Sequence, residues 1–380
     1  MILSKIDKSL YQKVSLMDNG QKWKCIVKAN DYQRLKKILV NKKIEVLDEY
    51  LFIKSFYVSV TKKEISSLSN MSQVGFISSV SSASMQMKIA KQILEVDNIE
   101  LTGKGERVAI IDTGISNHPD FLIGGKRIVF FKDFINEKKF NYDDNGHGTF
   151  VAGVCLGNGA MSAGKYSGVA PNSEIISLKA LNSKGEASAD KILNAMEWIY
   201  DNHRNMKIKT VCMSFGSEPL GYNDPIMAGA EALWRDGVVV IAAAGNSGPE
   251  YQTIKSPGVS SQIITVGGFD DNRINDEEFN KDYFELASFS SRGPAFHRFK
   301  PDLVAPSVDI ISCGIKKIYT KLSGTSVATP MIAGCVALLF EKYPFLSPNE
   351  IKRKILSMCQ PISYNRNYEG FGYPNMSRIK

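Results

Sequence analysis

Three side chains in this sequence have the types and settings that nucleophilic acyl chemistry needs. Ser326 stands in Leu322-Ser323-Gly324-Thr325-Ser326-Val327-Ala328-Thr329-Pro330, just before an apolar run from Met331 to Phe340 that reads as a buried helix. A glycine shortly before a serine lets the backbone turn sharply and lets a substrate come close. A serine in the first turn of a helix has the positive end of the helix dipole behind it, which favours an attack that creates an oxyanion. The same pattern also describes an ordinary Ser/Thr N-cap. Asp112 closes the apolar strand Val108-Ala109-Ile110-Ile111 and is followed by Thr113-Gly114. A carboxylate at the end of a buried strand is costly unless it has a partner. His147, one of four histidines, lies between glycines in Asn145-Gly146-His147-Gly148-Thr149, ahead of a helix-like run to Leu156. The order Asp112, His147, Ser326 is one of the three chain orders in which a Ser-His-Asp triad occurs. Asn246, in Ala242-Ala243-Ala244-Gly245-Asn246-Ser247-Gly248-Pro249, follows another apolar strand and can donate an amide hydrogen to a developing oxyanion.

These residues need a scaffold. From Leu101 onward the pattern alternates strand and helix. Strands are read at Val108 to Asp112, Ile175 to Leu178, Thr210 to Met213, Val238 to Ala244 and Ile263 to Val266. Helices are read at His147 to Leu156, Ala189 to His203, Asp224 to Asp236 and Thr325 to Tyr343, and Ser347 caps a last one to Met358. Continuous apolar strands separated by helices imply a parallel sheet covered on both faces. The C-terminal strand ends carry Asp112, Ser214 and Asn246, where open α/β sheets place their ligands. Asp270 to Phe284 is charged and reads as an exposed loop.

The N-terminal part is different. Residues 1–20 read as an irregular lead-in. Lys22 to Ala29 alternates as a strand, and Asn30 or Asp31 can cap a helix to about Val40. Ile44 to Leu47 and Leu51 to Val60 read as paired strands. Thr61-Lys62-Lys63-Glu64 is a capping box opening a short helix, and Val74 to Val80 is a last strand. The order β-α-β-β-α-β is that of the ferredoxin-like split βαβ arrangement. Ser78 to Gln86 is small and polar, so it is either a flexible linker or an extended segment able to thread a cleft.

Taken together, the stretches IIDTGI, NGHGT, AAGNSGP and SGTSVATP resemble the subtilisin-like serine proteases in residue, order and spacing. The resemblance covers residues 95–380 and is closest to the cytoplasmic, signal-less subtilisins, through DDNGHGT, GKYSGVAP, IKSPGVSSQIITVGG and ASFSSRGP. It implies a three-layer α/β fold with a mostly parallel central sheet at residues 87–380. It also implies that residues 1–86 are an α+β ferredoxin-like prodomain and linker, bound to the catalytic domain as its own inhibitor. An unrelated accessory domain is the other reading of residues 1–86. The chemistry implied is serine endopeptidase action of broad specificity, by Asp112, His147 and Ser326, with Asn246 in the oxyanion hole, in a zymogen that processes itself. Substrate would pair along Ser214-Phe215-Gly216 on one side and an edge strand from Gly185 to Ala189 on the other. Ala243-Ala244-Gly245 would wall the S1 pocket, and Ala189 and Ile192 would line an apolar S4 pocket. The competing reading is a catalytically silent protease-like protein that binds peptides or a partner protease.

Two positions depart from the family pattern. Val327 follows the nucleophile where methionine is usual. Lys255 falls at the base of S1, where it either meets substrate or points to solvent. No cofactor is required for the chemistry. The loop Gly157 to Ser167 does not look like the insertion that holds the tight calcium ion of secreted subtilisins, although Asp120, Asp143 and Asp144 could serve structural calcium.

Composition bounds the rest. The chain has 380 residues and is 43% apolar, enough for one large core and a small satellite. Net charge is +8, and residues 1–86, with 14 basic and 7 acidic side chains, hold +7 of it. No nucleic-acid recognition motif accompanies that excess, so it reads as a solvated basic surface. No stretch approaches the roughly 20 apolar residues of a membrane span. The start shows no apolar signal region, and six cysteines show no CxxC pair, with Cys155, Cys212 and Cys335 in apolar stretches. A cytoplasmic protein is the simplest expectation, and non-classical export is compatible with it.

Overall fold

The computed structural model describes residues 5–6, 10, 20–79, 86–273 and 279–379. The chain divides into two compact units, Met1–Ala83 and Ser84–Lys380.

In the first unit the elements run β1 (Lys22–Ala29), α1 (Tyr32–Asn41), β2 (Glu45–Tyr50), β3 (Ser55–Thr61), α2 (Lys62–Ser69) and β4 (Val74–Ser79). The strands form one antiparallel sheet in the order β2-β3-β1-β4. Cys25, Val27, Phe56, Val58, Val60 and Ile77 put one face of it against Leu35, Leu39, Ile65 and Leu68 of the helices. Asp31 caps α1 through the Arg34 amide, and Thr61 with Glu64 closes the capping box on α2. Leu51–Ile53, expected to open β3, is instead a 3-10 turn, with Lys54 left-handed at its end. Most of the lead-in and linker lies outside the described residues. Gln86, expected as the linker's last residue, opens helix α3 (Gln86–Ile93).

The second unit is built on an eight-stranded sheet. Its strands are β5 (Arg107–Asp112), β6 (Ile128–Asp133), β7 (Glu174–Lys179), β8 (Ile208–Met213), β9 (Val239–Ala243), β10 (Ile264–Asp270), β11 (Glu285–Leu286) and β12 (Leu303–Pro306). The order is β11-β10-β9-β8-β5-β7-β6, with β12 also on β10. All pairings are parallel except β10 with β11. Helices α4 (His147–Leu156), α5 (Ala189–Met206), α6 (Pro225–Arg235), α7 (Thr325–Lys342) and α8 (Pro348–Ser357) complete the frame. Both α4 and α7 are apolar on all sides, and nearly every residue from Thr325 to Phe340 is buried. A helix of that kind belongs inside a large core. It sets Ser326, half-buried, in its first turn.

Asp270 to Phe284 is not simply an exposed loop. Asp271 is buried beside Arg273, and Phe284 packs with Phe269 and Tyr373. All six cysteines are free, and Cys155, Cys212 and Cys335 lie in the main core. Among the described residues, no helix is long and apolar enough to cross a membrane.

Candidate active site

Asp112 ends the central strand β5, and His147 is the first residue of α4. Close packing brings the two together. A Cβ on Gly148 would lie 2.1 Å from the Gly114 carbonyl oxygen, so only glycine lets α4 start this close to β5. The His147 Nδ1 stands 2.8 Å from Asp112 Oδ1 and 3.0 Å from Oδ2. Asp112 is buried, and its Oδ1 also accepts the Thr113 amide. Burial opposes a charge on His147. The Asp112 carboxylate, by its charge and hydrogen bond, and the charge of Asp143 outweigh that, and the imidazole titrates above its ordinary range. A carboxylate on Nδ1 fixes the tautomer that leaves Nε2 free to accept a proton.

Ser326 lies in the first turn of α7, whose amides have no partner within the helix. Gly324 before it sits at φ +151°, and a Cβ there would lie 3.2 Å from Ser326 Oγ and 3.3 Å from Asn246 Nδ2. The serine hydroxyl and the asparagine amide nitrogen therefore face one small space, kept open by the absence of a side chain. The other end of the Asn246 amide is held from behind. Its Oδ1 accepts the Thr325 amide at 2.9 Å and the Thr325 hydroxyl at 3.0 Å. Two donors on that atom make it the carbonyl oxygen and turn the NH2 group toward Gly324. Sequence reasoning missed Thr325, and its neighbour in the SGTS stretch was the one available signal.

The expected S1 residues converge on Lys255. A Cβ on Gly216 would meet Lys255 Cβ at 2.6 Å, and one on Gly245 would meet its Cγ at 2.4 Å. Its amide donates to the Ala244 carbonyl. The Lys255 stem thus lies between the two glycines, and its ammonium group pairs with the carboxylate of Glu218. Ser214 is buried at the end of β8, with Phe215 partly buried next to it and Ala243 ending β9. The edge strand expected from Gly185 to Ala189 is not present as one. Gly185 is in a turn closed on Asn182, and Ala189 already opens α5. The Glu186 carbonyl accepts the Asn182 amide, so the segment folds back on its own loop instead of pairing with another strand. Ile192 is buried one turn into α5.

The three acids considered for calcium are all engaged by protein groups. Asp120 accepts the Met161 amide and the Tyr319 hydroxyl, and the thiol of Cys313 lies 3.7 Å away. Neighbouring His118 uses Nδ1 on the Asp120 amide and Nε2 on the Ile318 carbonyl. Asp143 accepts five hydrogen bonds, and Asp144 pairs with buried Lys179 at 2.6 Å. Asp143, whose two oxygens already take five donors, is poorly suited to a calcium shell of six to eight oxygen ligands.

A largely parallel sheet with a carboxylate-held histidine, a serine and an amide at its helix and strand ends is an arrangement that fits a serine endopeptidase. The chain belongs to the Subtilase family, whose model matches residues 103–373. It is 44% identical over 274 residues to Serine protease AprX of Bacillus subtilis, a match covering 66% of this chain and 60% of that protein. It is 34% identical to Subtilisin DY of Bacillus licheniformis, covering 75% of this chain and 95% of that one. Among solved structures it is similar to Sphericase, with TM-score 0.65 and 26% identity over 77% of this chain and 99% of the other. A cold-adapted subtilisin-like serine proteinase gives TM-score 0.58 at 29% identity, over 73% of this chain and 89% of that one.

Proposed function

We propose that the chain hydrolyses peptide bonds through Asp112, His147 and Ser326, by way of an acyl-enzyme. The observation that carries this reading is the 2.8 Å contact of Asp112 with His147 Nδ1. Ser326 attacks the scissile carbonyl while His147 Nε2 takes its proton. The carbonyl oxygen becomes an oxyanion held by the Ser326 amide and Asn246 Nδ2. The protonated imidazole gives its proton to the leaving amine, and water then repeats the sequence on the ester. Substrate lies extended along Ser214-Phe215-Gly216, with its P1 side chain beside Ala243-Ala244-Gly245 and Lys255. Main-chain pairing there gives broad specificity.

We further propose that residues 1–86 are a ferredoxin-like inhibitory prodomain and linker, released by cleavage between Ser81 and Met87. The β2-β3-β1-β4 sheet with its two helices supports the ferredoxin-like reading. Mass spectrometry of the purified protein beside Ser326→Ala tests both proposals. Wild type should show the cut and Ser326→Ala should not. Equal cutting of both would mean a foreign protease. A fluorophosphonate on Ser326 separates a working enzyme from a silent peptide binder.

A further inference from the structure

We infer that Asp143 is a positioning residue for the triad, locking the strand that carries Asp112 to the helix that carries His147. The inference rests on the triad reading above. Helix α4 begins at a residue that cannot cap it, because Gly146 at its N-cap has no side chain. Asp143 takes over that duty from three residues upstream. Its Oδ2 accepts the Thr149 amide at 2.9 Å and the Thr149 hydroxyl at 2.7 Å. Its Oδ1 accepts the Gly146 amide at 2.8 Å and the Asn145 amide at 3.0 Å.

The same Oδ1 also accepts the hydroxyl of Thr113 at 2.9 Å, and that hydroxyl oxygen accepts the Gly148 amide, again at 2.9 Å. Thr113 is the residue directly after Asp112. One carboxylate therefore holds the turn that ends β5 and the first turn of α4. Neither segment can rotate without breaking a charge-assisted bond. Lys179, on β7 beside Asp112, braces the same turn by donating to the Thr113 carbonyl at 2.6 Å and to Asp144. The charged groups around His147 are thus Asp112 from β5 and Asp143 from the preceding loop, with Lys179 from β7 already committed to the Thr113 carbonyl and Asp144. The charge of Asp143 adds to the upward shift of the imidazole.

Asp143→Asn keeps the shape but replaces one acceptor by an NH2 group, which faces donors on whichever side it is placed. The substrate residues named above lie on other segments, so the variant should lower kcat and spare KM. We expect kcat to fall about 10- to 100-fold, the scale on which sub-ångström to ångström misplacement of reacting groups is felt. KM should stay within about twofold. Thr113→Val should act in the same direction, and the double variant should lose little more than Asp143→Asn alone, since the two residues form one unit. The proton shared by His147 Nδ1 and Asp112 gives an independent readout by NMR on the full chain. Its far-downfield resonance should shift or broaden away in Asp143→Asn. Unchanged kcat with an unchanged resonance would overturn the inference and leave the triad reading intact. A parallel fall in kcat, 1/KM and thermal stability with the resonance unmoved would also overturn it. If wild type shows no Ser326-dependent hydrolysis, the triad reading falls and the resonance alone decides the role of Asp143. If Asp143→Asn does not fold, Thr113→Val carries the same test.

Discussion

Thr325 grips Asn246 by its carbonyl oxygen twice, once with its amide and once with its hydroxyl. The hydroxyl oxygen is itself held by the Gly245 amide at 3.2 Å. The grip decides which end of the Asn246 amide faces Ser326. Removing the hydroxyl by Thr325→Val leaves one of the two bonds. A single neutral hydrogen bond is worth about 1 kcal/mol, so kcat is expected to fall about fivefold with KM unchanged. Asn246→Ala should cost about 10²- to 10³-fold. Thr325→Ser should restore the wild-type rate. Steady-state kinetics on one peptide series checks all three, and a Thr325→Val rate equal to wild type would remove the hydroxyl from the account.

The raised imidazole sets a pH requirement. Only neutral His147 can accept the serine proton, so activity should climb as pH rises through its pKa. That pKa lies above the ordinary 6.5 because the carboxylates of Asp112 and Asp143 outweigh the effect of burial. The acid limb of kcat/KM is therefore expected with its midpoint above pH 6.5. In Asp143→Asn it should move to lower pH. A limb at or below 6.5 in wild type would contradict the electrostatics.

Lys255 does not wait unpaired for an acidic substrate side chain. Its stem lies between Gly216 and Gly245, and Glu218 already neutralises its ammonium group. An acidic P1 residue must displace that partner. Glu218 is largely exposed, and exposed pairs are worth about 0.2–1 kcal/mol. Glu218→Gln should therefore raise kcat/KM for Glu over Leu at P1, by no more than about fivefold. Lys255→Gly should lower the same ratio. If neither variant changes it, Lys255 does not reach P1.

Val327 is buried immediately after Ser326, the proposed nucleophile, where the resemblance to the subtilisin-like proteases implies methionine. Oxidation of a thioether there would place a bulky polar sulfoxide against the oxyanion site. Valine has no sulfur to oxidise. Wild type is expected to keep its activity in peroxide longer than Val327→Met, with oxidised positions mapped by mass spectrometry. Equal inactivation of both, with residue 327 oxidised in the variant, would sink this explanation.

Just before β12, one largely buried carboxylate serves two lysines. Asp302 meets Lys300 at 2.6 Å and Lys352 at 2.9 Å. Burial holds the Lys300 ammonium down to about 7 despite Asp302, and Lys352 adds to the effect. Asp302→Asn would take away the main group that favours the Lys300 charge, leaving a buried amine to shed its proton beside Lys352, and should cost about 3–5 kcal/mol in denaturant melts. Lys300→Met leaves a one-to-one pair of Asp302 with Lys352 and should cost less than about half as much. The reverse ranking would mean that Lys300 is the better-satisfied partner.

The residues differ in how far the sequence disclosed them. Helix α4 was legible to its bounds, because Gly146 breaks the chain before His147 and Gly157 after Leu156. The central strands were legible as uninterrupted apolar runs. Strand β6, Ile128–Asp133, was not read, since four apolar residues between Arg127 and Lys132 carry no period. Strand β12 is bounded by prolines that argue against strand. Lys179 reads as a surface residue by type, yet it is fully buried because carbonyls and Asp144 surround its head. The Asn246–Thr325 and Asp143–Thr113 bonds join distant parts of the chain, and no local pattern encodes such meetings.

Asp112 and Ser326 are 214 residues apart in sequence, and the strand carrying one stands two neighbours away from the strand leading to Asn246. No contiguous fragment shorter than that span contains the nucleophile and its base with the carboxylate. Helix α7, which brings Ser326, is buried against β5, β8, β9, β10 and β12. Contacts of such long range are slow to form, because loop closure costs entropy before they reward it. On the proposed triad, a nascent or partly folded chain would lack the assembled site. The capacity to cut arrives only with the last large burial event, so recovery of activity on refolding should lag recovery of helical signal.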